Sequence, residues 1–343
     1  MTITFSVEGE HLPITRVVTP FHSFNLAVSG NMKDGYGFPT RSLVEVSGNT
    51  GVGKSTLVAS LSGYASRSLD NTGVDYLDME RQSDDTILNS LENAGFAGTF
   101  RWVSGKTKKK EDNTAEKLLE GLEDALWSDP AHIGILDSVA AISSVAEREG
   151  SIGDANIGRR AYPMAQFVRR VIFALGKSET PSCMFMLNHQ YDKIGTIGPA
   201  KQITSPGGEV KNNLSTLRIR TKVPWVDYLS GGSGKKEGRW DEAGGWILEG
   251  LVDKNRDGKK NTTFQVFIYG GQGVHVGMSA LIDCLAAGLA EVKSGGKVVM
   301  EGQEFGLLSK IVATRKDDSE FFVPFQNALR VETIDTVLED ENE

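Results

Sequence analysis

A chain of 343 residues can bury one large core and a small appendage, because single cores seldom grow past about 250–300 residues. Its 39% hydrophobic and 24% charged residues suit a globular protein; no run reaches the roughly 18 apolar residues of a membrane span and Met1–Thr15 lacks a signal-peptide build, so a cytoplasmic chain without a membrane partner is expected. The net charge of −8 excludes coating of a polyanion by bulk charge, so any nucleic-acid contact has to come from local basic loops.

A short arm, residues 1–17, opens with the strand-like Ile3–Val7. Over residues 18–275, short apolar runs rich in β-branched residues alternate with helical patterns. The runs are Leu43–Val46, Val74–Leu77, Ile133–Leu136, Cys183–Leu187, Leu217–Ile219, Trp246–Val252 and Phe264–Ile268. Thr56–Ser68, Asp84–Ala94, Ala115–Trp127 and Arg159–Leu175 repeat apolar residues at three-to-four spacing and are the crossover helices. The pattern predicts an α/β fold around a buried, mostly parallel sheet. Lys106–Asn113, a lysine run read as a solvated loop, Gly195–Asn213 and Ser230–Arg239 are left without regular structure. Cys183 and Cys284 both lie in apolar runs without a CxxC partner and are expected to be buried, reduced thiols. Past Gly270–Gly273 a helix, Met278–Ala290, then strand-like pieces and an acidic end, Glu339–Glu343, predict a small C-terminal α+β domain over residues 276–343.

Gly48-Asn49-Thr50-Gly51-Val52-Gly53-Lys54-Ser55 follows a predicted strand and precedes a predicted helix that begins at Thr56. G-x4-G-K-[ST] in that context is a phosphate-binding loop: glycines let successive backbone N–H groups curl around phosphates at the helix N-terminus. Lys54 is expected to neutralise the β- and γ-phosphates of ATP, and Ser55 to ligate Mg²⁺.

Ile133–Leu136 runs into Asp137, an apolar strand ending in the carboxylate that such sites use to hold the Mg²⁺ water shell, two βα units after the loop. Glu80, just past Val74–Leu77, is expected to orient and deprotonate the attacking water. Asp78 is its rival, read as lying within the strand instead of at its mouth, where ligands of open α/β sheets bind.

With these residues in place the chain resembles the RecA family of recombinases, and within it the phage UvsX-type members, from about Val18 to Val292. Leu77-Asp78-Met79-Glu80 is similar to the family strand bearing the catalytic glutamate, and Leu136 to Ala141 to its Walker B strand. Glu149-Gly150-Ser151-Ile152-Gly153-Asp154-Ala155-Asn156-Ile157-Gly158 resembles the first DNA-binding loop, within residues 147–160. The resemblance implies that Ile157 wedges between base triplets and that Arg169 touches the DNA backbone, with Arg159 and Arg160 adding local charge. Leu187 to Gln190, then Lys193 and Ile194 through Gly207 and Gly208, resembles the strand end and second DNA-binding loop, residues 193–213. His189 stands where bacterial RecA has the glutamine that senses the γ-phosphate, with Gln190 beside it. A neutral imidazole can donate a hydrogen bond as that amide does.

Val252 to Arg256 resembles the segment whose basic residues reach the γ-phosphate of the neighbouring protomer, which makes Lys254 and Arg256 a trans-acting pair. Asp84 falls where the family contacts adenine, although a helix N-cap accounts for a carboxylate there as well. RecA proteins begin with a helix that docks on the adjacent protomer; here the strand-like segment is the expected substitute, added to a neighbour's sheet edge.

These implications amount to a RecA-like P-loop ATPase core with ATP and Mg²⁺ as cofactors. The activity implied is DNA-stimulated ATP hydrolysis by a recombinase. It would assemble into helical homo-oligomers on single-stranded DNA, exchange strands with double-stranded DNA, and work with single-strand-binding and mediator proteins. Two alternatives stay open: a RecA-like mediator or binding protein with weak hydrolysis, and a ring-forming helicase or motor ATPase on the same core.

Overall fold

All seven apolar runs are strands of one eleven-stranded sheet in the computed structural model of the chain. The structure describes residues 15–29, 35–70, 72–80, 84–103, 114–128, 132–142, 161–177, 180–192, 202–204, 213–231, 234–315 and 317–330, with backbone alone at 84, 161, 191–192 and 202–204. Ile3–Val7, the lysine run, the loop Glu149–Gly158 and Glu339–Glu343 lie outside the described residues.

The main strands are β1 (Ser42–Gly48), β2 (Val74–Asp78), β3 (Phe100–Trp102), β4 (Ile133–Asp137), β5 (Cys183–Asp192), β6 (Leu217–Lys222), β7 (Gly245–Asn255), β8 (Thr262–Tyr269) and β9 (Gly273–Val274). Their order is β9-β8-β7-β6-β1-β5-β4-β2-β3. From β6 to β3 every neighbouring pair is parallel; β7, β8 and β9 extend the sheet antiparallel. The helices are α1 (His22–Val28), α2 (Lys54–Ser68), α3 (Asp84–Asn93), α4 (Ala115–Ala125), α5 (Ala161–Lys177), α6 (Val276–Ala287) and α7 (Leu308–Thr314).

Alternation along the strands splits the core between two faces. Val44, Val46, Ile135 and Leu187 pack with Leu57 and Leu61 of α2 and Leu91 of α3. Leu43, Leu136, Met184 and Met186 face the other way onto Leu122 of α4 and Val168 and Val171 of α5. The chain leaves β1 for β2 on one side and returns to β6 on the other, so the crevice at the carboxyl end of β1 is where a ligand of such a sheet binds.

Beyond Val274, α6 and α7 with β10 (Ala290–Val292), β11 (Lys297–Met300) and β12 (Gln303–Leu307) enclose a cluster around Leu281, Val298, Ile311, Phe322 and Phe325. Ile247 and Phe267 of the main sheet belong to that same cluster. At the other terminus Arg16–Val17 pairs antiparallel with Phe38–Pro39.

Several expectations need correction. The helix predicted to end at Ala290 stops at Ala287, because Gly288 takes a left-handed φ of +77° that ends the ladder, and Ala290 starts β10. Gln202–Thr204, inside a segment read as irregular, is a strand: β5 continues past Leu187 to Asp192, and its last residues need backbone partners there. Ser230–Arg239 likewise contains Lys236–Glu237, paired with Trp225–Val226, and the start of Arg239–Trp240, which pairs with β7. Short pieces such as β3 and β9 fell below the length at which a pattern declares itself. Cys183 and Cys284 are both buried and free, as expected. Among the described residues no helix is long and apolar enough to cross a membrane.

Candidate nucleotide site

β1 ends at Gly48 and α2 begins at Lys54, so Asn49–Gly53 form the turn between them. Glycine is favoured for different reasons at the strand end, Gly48, and at the last residue of the turn, Gly53. A Cβ on Gly48 would lie 2.3 Å from Thr221 Oγ1 and 2.6 Å from Thr221 O of the adjoining β6, and Gly53 caps α2 with φ +98°. The Trp246 indole N–H, from β7, donates to Val52 O at 3.0 Å and ties the turn to the antiparallel half of the sheet.

The turn borders a cleft of about 190 Å³ lined by Thr50, Gly51, Gly53, Lys54, Ser55 and Thr56 on one side. Tyr76 and Asp78 of β2, Glu80 just past it, Thr86 and Ile87 of α3, Asp137, His189 and Trp246 complete the wall. The ends of β1, β2 and β4, the starts of α2 and α3 and the last part of β5 thus converge, as β4 pairs with both β2 and β5 while β5 pairs with β1.

Lys54 is 7% exposed, and its ammonium donates to Gly48 O at 3.1 Å and Asn49 O at 2.9 Å. Burial lowers its pKa, while Asp137 and Glu80 hold it up. Asp137 is 8% exposed, and its Oδ2 accepts from Ser55 Oγ and from the Tyr76 hydroxyl, both at 2.5 Å. Burial raises the Asp137 pKa; the two hydroxyls counter it, and Glu80 and Asp78 add to it.

Glu80 Oε1 accepts from the Ser138 hydroxyl and lies 2.7 Å from His189 Nε2. Burial alone would push the Glu80 carboxyl up, but the hydrogen bonds from Ser138 and His189, with the charges of His189 and Lys54, carry it below its ordinary value. The other ring nitrogen of His189 lies 3.4 Å from Thr50 Oγ1, so the imidazole spans the carboxylate and the glycine turn. Asn188, the residue before it, donates to the buried Glu45 Oε1 of β1 at 2.9 Å, and Gln190 donates to Ser47 Oγ at 2.9 Å. These bonds lock the end of β5 to β1.

Asp78 is the last residue of β2 and borders the cleft, contrary to its reading as an inner strand residue; Asp78 Oδ1 accepts the Glu80 N–H at 2.9 Å and shapes the turn that presents Glu80. Asp84 is the first residue of α3, two positions before Thr86 in the wall.

Lys254 and Arg256 do not border this cleft. Lys254 is in register with Arg218, which pairs with Glu45, three residues or about 10 Å back along β1 from Gly48. Their side chains donate to Asn213 O, at 2.8 and 2.6 Å. Burial lowers the Lys254 pKa, reinforced by Arg256 and Arg218 and opposed by Glu45 and Asp253. Arg169 is exposed on α5. Ile157, Arg159, Arg160, Lys193, Ile194, Gly207 and Gly208 lie outside the described residues.

The Asp137 and Ser55 oxygens on one side, the buried Lys54 ammonium on the other and a helix N-terminus between them are the groups that a polyphosphate with a hard cation would need. The family model for the RecA N-terminal domain matches residues 15–224, which include all of this cleft except Trp246. The chain belongs to the RecA family. The RecA proteins of Borrelia hermsii and Borrelia duttonii are each 27% identical to it, over 239 and 272 residues. Those stretches cover 69% of this chain and 61% of the first relative, and 79% and 68% for the second. RecA of Porphyromonas gingivalis is 29% identical over 192 residues, 56% of this chain and 53% of that protein. The chain thus spans about three fifths of the length of the first of these RecA proteins.

Sequence reasoning missed Tyr76, Ser138, Thr86, Ile87 and Trp246. Ser138 was within reach as the residue after the strand-ending Asp137; nothing in the sequence ties Trp246 to a turn 194 residues earlier.

Proposed function

We propose that this RecA-family chain is an ATP-dependent DNA recombinase. It would polymerise on single-stranded DNA as a helical homo-oligomer, pair it with homologous double-stranded DNA and hydrolyse ATP in a DNA-stimulated reaction. The observation that carries the reading is Glu80, ionised and held between Ser138 and His189 across one small cleft from Lys54, Ser55 and Asp137.

In this reading the N–H groups of the Gly48–Ser55 turn and the Lys54 ammonium bind the β- and γ-phosphates. Mg²⁺ supplies charge neutralisation there, and the donor set suits it: the Ser55 hydroxyl and the Asp137 carboxylate are hard oxygens already in contact. Glu80 orients and deprotonates the attacking water. His189 joins the base to the phosphate turn, and a γ-phosphate arriving beside Thr50 would compete for its ring, coupling nucleotide state to the end of β5. Residues 193–213, the segment that resembles the second DNA-binding loop, follow that strand end directly in the chain and would be the ones to feel such a change.

Lys254 and Arg256 stand away from their own chain's cleft, which favours a role at the nucleotide of a neighbouring subunit. Hydrolysis then requires assembly. The N-terminal arm would supply part of the contact, and residues 147–160 and 193–213, with Arg169, would face DNA. Single-strand-binding and mediator proteins are the partners such a filament would meet.

ATP turnover with and without single-stranded DNA, for wild type, Lys54→Ala and Glu80→Gln, tests the proposal. The expected result is DNA-stimulated turnover abolished by either substitution; a wild-type rate indifferent to DNA overturns it.

A further inference from the structure

Tyr76 is almost wholly buried, at 1% exposed, yet its hydroxyl reaches the nucleotide cleft. It comes from the middle of β2, where Tyr76 is in register with Ile135 of β4 on one side and Trp102 of β3 on the other. The ring is held edge-on against Trp102, with centroids 5.2 Å apart and planes at 67°, and Trp102 meets Phe100 in the same manner at 4.9 Å. Two neighbouring strands and an aromatic row therefore fix where the hydroxyl can go.

That hydroxyl donates to Asp137 Oδ2 at 2.5 Å, the oxygen that also accepts from Ser55. One carboxylate oxygen thus takes two donors. A carboxylate pinned in this way cannot rotate without losing both bonds, so its second oxygen, Oδ1, is held in one orientation.

We propose that Tyr76 is a positioning residue for the divalent cation of the cleft, acting through Asp137: its hydroxyl, with that of Ser55, sets the orientation in which the carboxylate meets the metal's ligand shell. The inference rests on the nucleotide-site reading given above. It adds to the cation's support a residue that acts through its bond to Asp137. Hydrogen bonds to metal-facing carboxylates of this kind govern cation affinity.

A structural role alone would appear as a change in stability; a positioning role appears in the metal dependence. Tyr76→Phe removes the hydroxyl and keeps the ring against Trp102, so the full-length variant can be compared directly with wild type. Mn²⁺ binding in the presence of ADP, followed by electron paramagnetic resonance, reads the cation, and a fluorescent ADP analogue in EDTA reads the nucleotide without it. Thermal melts verify that the variant is folded.

The expected result is a Kd for Mn²⁺ raised about tenfold, with metal-free nucleotide affinity and the melt close to wild type. An Mn²⁺ Kd within about twofold of wild type overturns the proposal, as does an equal loss of metal-free nucleotide binding, which would mark general damage to the cleft. Wild type that binds neither ADP nor Mn²⁺ would instead remove the nucleotide-site reading itself, and this inference with it.

Discussion

His189 Nε2 lies 2.7 Å from Glu80 Oε1, and that same oxygen accepts the Ser138 hydroxyl. Burial would disfavour the Glu80 charge, yet these two partners, with Lys54 nearby, carry the pKa downward. The carboxylate is therefore ionised across the neutral range, as a base must be before it can take a proton from water.

The sign of the pH effect follows. Ser138→Ala removes one donor to the charged form, so the Glu80 pKa rises and the acid limb of the kcat/KM profile for ATP moves to higher pH. A limb that stays where it is in wild type would show that Glu80 is not the titrating base.

Lys54→Ala should weaken nucleotide binding by at least about tenfold, since a charge-assisted contact contributes about 1.5–3 kcal/mol. The substituted chain should still fold, because the ammonium's partners, Gly48 O and Asn49 O, belong to the turn itself. Fluorescence titration with an ADP analogue measures the affinity; an unchanged value would show that Lys54 does not meet the phosphates.

Legibility in the sequence followed locality. Gly48 to Ser55 is one contiguous string whose chemistry depends on spacing along the chain, and Asp137 and Glu80 each follow an apolar run that announces a strand end. Tyr76 was hidden because its relation to Asp137 spans 61 residues and exists only through the pairing of β2 with β4. Asp78 was misjudged for a related reason: strand ends shift by a residue when pairing continues, and here Asp78 pairs with Asp137. The strand Gln202–Thr204 has no apolar alternation to declare it, since it forms only because β5 offers it an edge.

Assembly can be separated from chemistry by mixing variants. Glu80→Gln lacks the proposed base but keeps Lys254 and Arg256, whereas Lys254→Ala keeps that carboxylate and loses one cation. If the cations act across an interface, mixed assemblies contain junctions where an intact Glu80 cleft meets an intact basic pair, and turnover should recover to roughly a quarter of the wild-type rate for random mixing at equal amounts. Two inactive proteins that stay inactive together, while sedimentation shows that they co-assemble, would remove the trans assignment.

Gly48→Ala tests the packing beneath the turn. The added Cβ would meet Thr221 Oγ1 and, behind it, Thr221 O, and the second of these is backbone that cannot rotate away. The expected cost is about 1–3 kcal/mol of stability, as for other overpacked positions. Thr221→Ala in the same chain should fail to restore it, because only the hydroxyl contact is relieved. Urea unfolding of the single and double variants measures both, and full rescue would show that the hydroxyl alone sets the limit.

Alkaline lability offers a last test, independent of the nucleotide. Cys183 begins β5, fully buried, with its thiol 3.8 Å from Pro39 O, and burial pushes its pKa from an ordinary 9.0 up to about 12. Below the ordinary value both folded and unfolded chains keep the proton and stability does not depend on this group. Between the two values the unfolded chain has released the proton while the folded chain retains it, so stability falls as pH rises, by up to about 1.4 kcal/mol per pH unit. Cys183→Ala removes the titrating group and leaves a small cavity, so it should be the less stable protein near pH 8 and lose ground more slowly above pH 9. Because Tyr64 and Tyr269, whose pKa values burial also raises to about 12, are common to both proteins, their effects cancel in the difference. Unfolding free energies of the two proteins that run parallel from pH 8 to pH 10 would show that this thiol is not protected from ionisation by the fold.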